Sequence, residues 1–112
     1  MECIFCKIIS GQIPSQILHQ DDKVVAFPDI NPATPVHLLI VPRKHIPSLA
    51  DLTQSDLPLM GHMIDVANQL AKKEGVADKG YRLVINNGKE AGQEILHLHV
   101  HLLAGRRLSR MG

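Results

Sequence analysis

The chain has no tryptophan and few aromatics of any kind, only Phe5, Phe27 and Tyr81 among its 112 residues. Its core must therefore come from Ile, Leu and Val, and each phenylalanine invites the question of what it touches. Cysteine is nearly absent too. Cys3 and Cys6 are three positions apart, and a disulfide there would close a tiny loop of little stabilising value, so a reducing compartment is expected. No charge of one sign dominates: 12 Lys and Arg face 11 Asp and Glu, a net +1 that argues against polybasic arms for a nucleic-acid polymer. No apolar run approaches the roughly 20 residues of a membrane span. The opening MECIFCKIISGQ shows neither the basic region nor the cleavage site of a secretory signal, so the expected location is the cytoplasm. One domain over 1–112 is expected from the length, and a chain of that size buries roughly two-thirds of its unfolded surface without staples.

Histidine is what the chain has in excess: seven in all, five of them after Lys44. Before them, Cys3–Ser10 reads as a short helix with Ile4, Phe5, Ile8 and Ile9 on one side, stopped by Gly11. Gln16–Gln20 and Val24–Phe27 read as a hairpin turning at Asp21 and Asp22. Asp29–Pro35 is irregular, and Val36–Val41 is a strand apolar enough to be covered on both faces. The one long helix is predicted from Ser55, taken as its N-cap in preference to a Thr53–Asp56 capping box, to about Glu74. Its apolar spacing runs through Leu57, Met60, Ile64, Ala67, Leu70 and Ala71, and Gly75 ends it. Arg82–Ile85 and Ile95–Leu103 are the last strands. The fold class is α+β: a five-stranded antiparallel sheet, one long helix on a face and a short N-terminal helix. An unprotected strand edge in so small a sheet invites pairing across a dimer.

The informative segment is HLHVH. On a strand, His97, His99 and His101 share one face while Leu98, Val100 and Leu102 take the other. Three chemistries suit such a row. The histidines can be structural, each satisfied by its own hydrogen bonds. Two of them can ligate zinc, whereas all three on one ion is awkward because the outer pair is roughly 13 Å apart at Cα. Or one imidazole, neutral near pH 7, attacks phosphorus while its neighbours donate to phosphate oxygens. The loop NNGKEAGQE, with Gly88 and Gly92, offers backbone N–H groups for the same phosphate, although it is no Walker motif.

With IFCKIISGQIPS, AFPDINPATPVHLLIVPRKHI, YRLVINNGKEAGQE and HLHVHLLAGR in place, the chain resembles the histidine triad (HIT) superfamily over nearly its whole length, in the Hint branch. The resemblance implies a HIT-like fold, with the sheets of two protomers joined in a homodimer. It also implies hydrolysis of purine nucleoside 5′-phosphoramidates through a covalent nucleotidyl-histidine. The middle histidine, His99, is then the nucleophile. His101 and His37 match supporting histidines, and His97 matches the position near the leaving amine. Gln93 matches a residue close to the phosphate. Asp29 matches the carboxylate on the ribose hydroxyls, although an Asp before Asn31-Pro32 is equally a turn former. Ile4, Phe5, Ile8, Phe27, Ile30 and Leu39 match the base pocket, and Asn86 and Gly92 the remaining polar contacts.

No cofactor is implied for catalysis. Some relatives with the N-terminal cysteine pair hold a structural zinc, here implied at Cys3, Cys6 and His45 with His97 as fourth ligand, a good tetrahedral set. That assignment competes with a role for His97 at the leaving group. Two positions depart from the family pattern. Glu94 stands where many relatives have Ser or Thr, so hydroxyl assistance to leaving-group protonation does not carry over; RRLSRMG stands where some relatives have a Trp-containing tail, so selectivity for the leaving amine does not carry over either. His19 and His62 read as uninvolved, and Arg43 and Lys44 as exposed surface or dimer residues. The expected partners are a purine nucleotide and a second copy of the chain, with no nucleic-acid polymer and no membrane. The alternatives are a dinucleoside polyphosphate hydrolase of another HIT branch, or a nucleotide-binding regulatory protein with incidental turnover.

Overall fold

The computed structural model describes residues 3–111. In chain order the elements are α1 (Ile4–Ile9), β1 (His19–Gln20), β2 (Val24–Pro28), β3 (Val36–Pro42), α2 (Leu57–Lys73), β4 (Tyr81–Val84) and β5 (Val100–Ala104). The five strands form one antiparallel sheet in the order β1-β2-β3-β5-β4, which leaves β1 and β4 as edges. The expected architecture is therefore present.

Strand β3 is buried along both faces, as its unbroken apolar run requires. Leu38 and Ile40 join Met63, Val66, Ala67, Leu70 and Ala71 of α2 together with Val100 and Leu102. On the opposite face Leu39 and Val41 pack with Val25, Phe27 and Phe5 beneath α1. Full burial of side chains of this size stabilises by about 1.5–3 kcal/mol each. Gly105, just past β5, lies so close to Pro35 that a Cβ there would meet the proline ring at 2.8 Å, and its φ of +99° also suits only glycine.

Four local expectations need correction. Helix α2 is capped from Thr53 rather than Ser55. The Asp56 carboxylate accepts from the Thr53 N–H (2.9 Å) and hydroxyl (3.0 Å), and the Asp56 N–H donates to the Thr53 carbonyl (2.9 Å). One 3-10 turn over Gln54–Asp56 lets this cap coexist with Pro58, which falls in the first turn of the α-helix where its missing N–H goes unused. The buried stripe of α2 is also rotated: Met63 and Val66 are inside, whereas Leu57 and Ile64 are 56% and 45% exposed.

Only His19 and Gln20 pair in the first strand, because Asp21 turns the chain at once by accepting the Lys23 and Val24 N–H groups at 2.8 Å each. Finally, the segment before Val100 pairs with no strand. The Leu98 N–H donates instead to Ile46 O (2.7 Å), so residues 95–99, with His97 and His99 among them, precede β5 as irregular chain bonded to the segment that leaves β3.

Candidate active site

Backbone groups dictate the protonation of three histidines. The Ala33 N–H donates to His37 Nδ1 at 2.9 Å, so the His37 proton resides on Nε2. That Nε2–H faces His101 Nδ1 at 2.9 Å, with Asp29 Oδ2 also 3.5 Å away. His101 must therefore accept at Nδ1 and carry its own proton on Nε2. His99 is oriented separately: its Nδ1 donates to His97 O at 2.7 Å, which leaves Nε2 with a free lone pair. The His99 and His101 rings meet edge to face at 4.8 Å between centroids. Burial, foremost, pushes His37 below its ordinary value and His101 down to about 4, with neighbouring histidines adding to both shifts. Near neutral pH His37 and His101 thus carry no positive charge, and the His101 Nε2–H donor stands beside the His99 ring.

His99 and His101 line a cavity of about 570 Å³, within the range of small-molecule sites. Ile4, Phe5 and Ile8 of α1, Phe27 of β2 and Leu39 of β3 form apolar walls, while Asp29, Ile30, Asn86 and Gly92 stand around them. Phe5 explains its own scarcity: its ring contacts Phe27, His99 and His97 at centroid distances of 5.7, 5.1 and 5.8 Å. Asp29 combines both readings of its sequence, since Oδ1 accepts from the Asn31 N–H (2.8 Å) as a turn former while Asp29 still lines the cavity. Sequence reasoning did not single out Ile13, Pro14, Ser15, Pro28 and Asn31 as lining residues; they lie in loops and a strand end without a periodic signal.

His97 goes elsewhere. It is fully buried, its Nε2 donates to Pro42 O (2.8 Å), and Nδ1 therefore presents a lone pair to Cys3 Sγ (3.3 Å), Cys6 Sγ (3.6 Å) and His45 Nδ1 (3.1 Å). Cys6 Sγ is also 3.4 Å from His45 Nδ1, and the four ligand atoms all lie within 4.8 Å of one another. In tetrahedral zinc the N···N and S···N separations are about 3.3 and 3.6 Å. The Cys3–Cys6–His45–His97 set fits such an ion, and the hydrogen bond to Pro42 supplies the outer contact that ligating histidines require. Cys3 is also the N-cap of α1, its sulfur accepting from the Cys6 N–H, so the same atoms hold the helix that carries Phe5. Burial, then the neighbouring Cys3 sulfur, pushes the Cys6 thiol up, a shift that a cation would reverse.

The loop before the histidines is closed upon itself. Gln93 Oε1 accepts from the Gly88 N–H (2.9 Å), while Gln93 Nε2 donates to Pro47 O (2.8 Å) and Ile95 O (3.1 Å). The Gly92 and Gln93 N–H groups bond to Lys89 O and Gly88 O. Contrary to expectation, the N–H groups of Gly88 and Gly92 are thus engaged within the loop, and Gln93 does not line the cavity. Glu94 does, and it also borders a second hollow lined by Cys3, Ile4, His45, Pro47, Ile95 and Leu96. His19 and His62, which looked uninvolved, both reach Asp21. Lys44 pairs with Asp56 at 2.8 Å and Arg43 Nε donates to Asp21 O at 2.6 Å, so these two serve the fold.

This geometry has relatives. A family model described as scavenger mRNA decapping enzyme C-term binding matches residues 2–111. Purine nucleoside phosphoramidase of Escherichia coli (strain K12) is 48% identical over 110 residues, 98% of this chain and 92% of that protein. Among solved structures, a histidine triad protein from Clostridium difficile superimposes with a TM-score of 0.96 at 45% identity, covering 100% of this chain and 97% of that one. A HIT family hydrolase from Legionella pneumophila Philadelphia 1 gives 0.94 at 44% identity and 96% coverage of both.

Proposed function

The chain belongs to the histidine triad family of hydrolases, and from that premise we propose that it hydrolyses purine nucleoside 5′-phosphoramidates to the nucleoside monophosphate and an amine. The observation that carries this reading is His99: protonated at Nδ1 by its bond to His97 O, it offers a free Nε2 lone pair at a nucleotide-sized cavity. The name of the Escherichia coli relative points to the same substrate class.

On this reading the purine lies between Ile4, Phe5, Ile8, Phe27, Ile30 and Leu39, and Asp29 Oδ2 accepts from the ribose hydroxyls. Asn86, Gly92 and Gln93 flank the phosphate, Gln93 by holding the loop. His99 Nε2 forms a bond to the α-phosphorus as the P–N bond breaks, and the amine leaves with a proton taken from solvent. The His101 Nε2–H donates to a phosphate oxygen on which charge accumulates, with His37 keeping that proton in place. Water then attacks the nucleotidyl-histidine, the P–N bond to His99 breaks, and a proton returns to solvent, which balances the one taken before. The reaction needs no cofactor, since imidazole supplies the nucleophile.

His97 acts through others: its carbonyl orients His99, while its ring joins Cys3, Cys6 and His45 as ligand of a structural zinc. That ion ties α1, and with it Phe5, to the histidine segment. Cys3 and Cys6 form no disulfide and serve as ligands only while reduced, which suits a reducing compartment, so the protein works in the cytoplasm as a single domain over 1–112. Among the described residues no helix is long and apolar enough to cross a membrane.

The protein acts as a homodimer paired through edge strand β4. Leu57, Gly61 and Ile64 form an exposed stripe of α2 that continues to Asn68, and Asn68 accepts from the Tyr81 hydroxyl of β4. Sheet edge and apolar stripe thus adjoin.

The test is release of AMP from adenosine 5′-phosphoramidate in EDTA, with His99→Ala alongside. Turnover by the parent and none by the variant, which still binds AMP, supports the reading. Equal turnover by His99→Ala overturns it. Faster cleavage of diadenosine polyphosphates would favour the other HIT branch, and AMP binding with no turnover by the parent a regulatory binding protein.

A further inference from the structure

A second group of metal-ligating side chains lies on the other face of the sheet from the triad. His19 pairs across the strands with Ala26, which packs in the core beneath α2, and His62 reaches down from α2 itself. Between them stands Asp21, at the turn of the first hairpin. Its Oδ2 lies 2.7 Å from His19 Nε2 and 2.7 Å from His62 Nε2, so two imidazoles converge on one carboxylate oxygen. The three ligand atoms are all within 4.8 Å of one another.

We propose that His19, Asp21 and His62 form a site for a divalent transition-metal ion of the zinc, nickel or copper(II) class, which clasps the edge hairpin to α2. The donor set selects the class. Two imidazole nitrogens and one carboxylate oxygen suit these ions, whereas calcium and magnesium demand more oxygen. The carboxylate is already oriented: Oδ1 accepts two backbone N–H groups, from Lys23 and Val24, and Arg43 Nε holds the Asp21 carbonyl at 2.6 Å. Such outer contacts keep a ligating carboxylate in place.

The side chains of His19, Asp21 and His62 are 23%, 25% and 39% exposed, so an ion can enter and water can complete its coordination. To bind it, each imidazole must shift the Nε2 proton it now donates to Oδ2 onto its Nδ1, so that Nε2 presents a lone pair, and the nitrogens and oxygen must separate to about 3.3 Å, a small rotation for partly exposed side chains. The gain falls where the fold is thinnest, since β1 has only two paired residues.

The site differs from the cysteine cluster in position and donors, so a difference count isolates it. Untagged protein would be dialysed to equilibrium against buffered low-micromolar free zinc, and bound metal counted for the parent, His19→Ala, His62→Ala and the control Lys23→Ala. The expected result is one fewer zinc per chain in both histidine variants and no change in the control. Saturating zinc should also protect the amide of Gln20 from hydrogen exchange in the parent but not in His62→Ala. His62 is on the helix surface, and its loss should leave the fold intact by circular dichroism. Equal zinc counts in the parent and both histidine variants would overturn the proposal.

Discussion

Replacing His37 by phenylalanine isolates the hydrogen-bond relay that sets the His101 proton. The ring volume is nearly kept, but His101 Nδ1 loses the donor now 2.9 Å away. A buried acceptor left unpaired is disfavoured by about 1–3 kcal/mol. His101 avoids that penalty by moving its proton to Nδ1. That change removes the Nε2–H donor next to the developing phosphate charge. At 1.36 kcal/mol per tenfold, kcat/KM for the phosphoramidate should fall about 5- to 150-fold. The loss should appear in kcat, because the apolar base pocket is untouched. Removing His37 also removes one of the groups that hold His101 at about 4, so the acid limb of the pH–rate profile should move upward. His37→Gln, whose amide can donate to the same nitrogen, should restore much of the rate. Nitrogen-15 spectra of the imidazoles read the tautomer without any substrate. A parent spectrum with the His101 proton on Nδ1, or a His37→Phe protein with unchanged kcat and pH profile, would refute the relay.

Phe5→Ala removes a ring that is 3% exposed and wedged against Phe27 and His99; urea melts should show a loss of about 3–5 kcal/mol, with a raised KM. Ile64→Glu places a charge on the exposed stripe of α2 and should turn a dimer into a well-folded monomer by light scattering; a parent of monomer mass would defeat the dimer reading. Chelation should lower Tm by on the order of 10 °C if zinc fills the cysteine cluster, and Cys3→Ser should abolish that difference. Stability should also fall in acid. Asp56 is lowered from 3.8 to about 2, chiefly by the hydrogen bond from Lys44 and then by those from Thr53. The unfolded chain therefore takes up that proton first, and the contribution, complete above pH 4, disappears as pH falls through 2. Urea midpoints at pH 5 and pH 2.5 should differ less in Asp56→Asn than in the parent.

The alternation of HLHVHLL determined by itself that Leu98, Val100 and Leu102 go inside and that His99 and His101 emerge beside one another. A period of two is a property of the extended backbone and survives even where pairing stops short of Val100. The buried run of β3, the length of α2 and the end of that helix at Gly75, with φ +74°, were legible for the same local reason. Which stripe of α2 faces the sheet was not, because Leu57 and Ile64 keep the same spacing as the buried set. Nor did any local pattern say that His97 leaves its row for Cys3, 94 positions away, or that Gln93 closes its own loop. The proton positions on His37 and His101 depend on the Ala33 N–H, and the meeting of His19 with His62 at Asp21 depends on how a hairpin packs against a helix 41 residues further on. Periodicity is written by neighbours along the chain, whereas the partners of a buried polar atom are chosen by whatever packing brings within 3 Å of it.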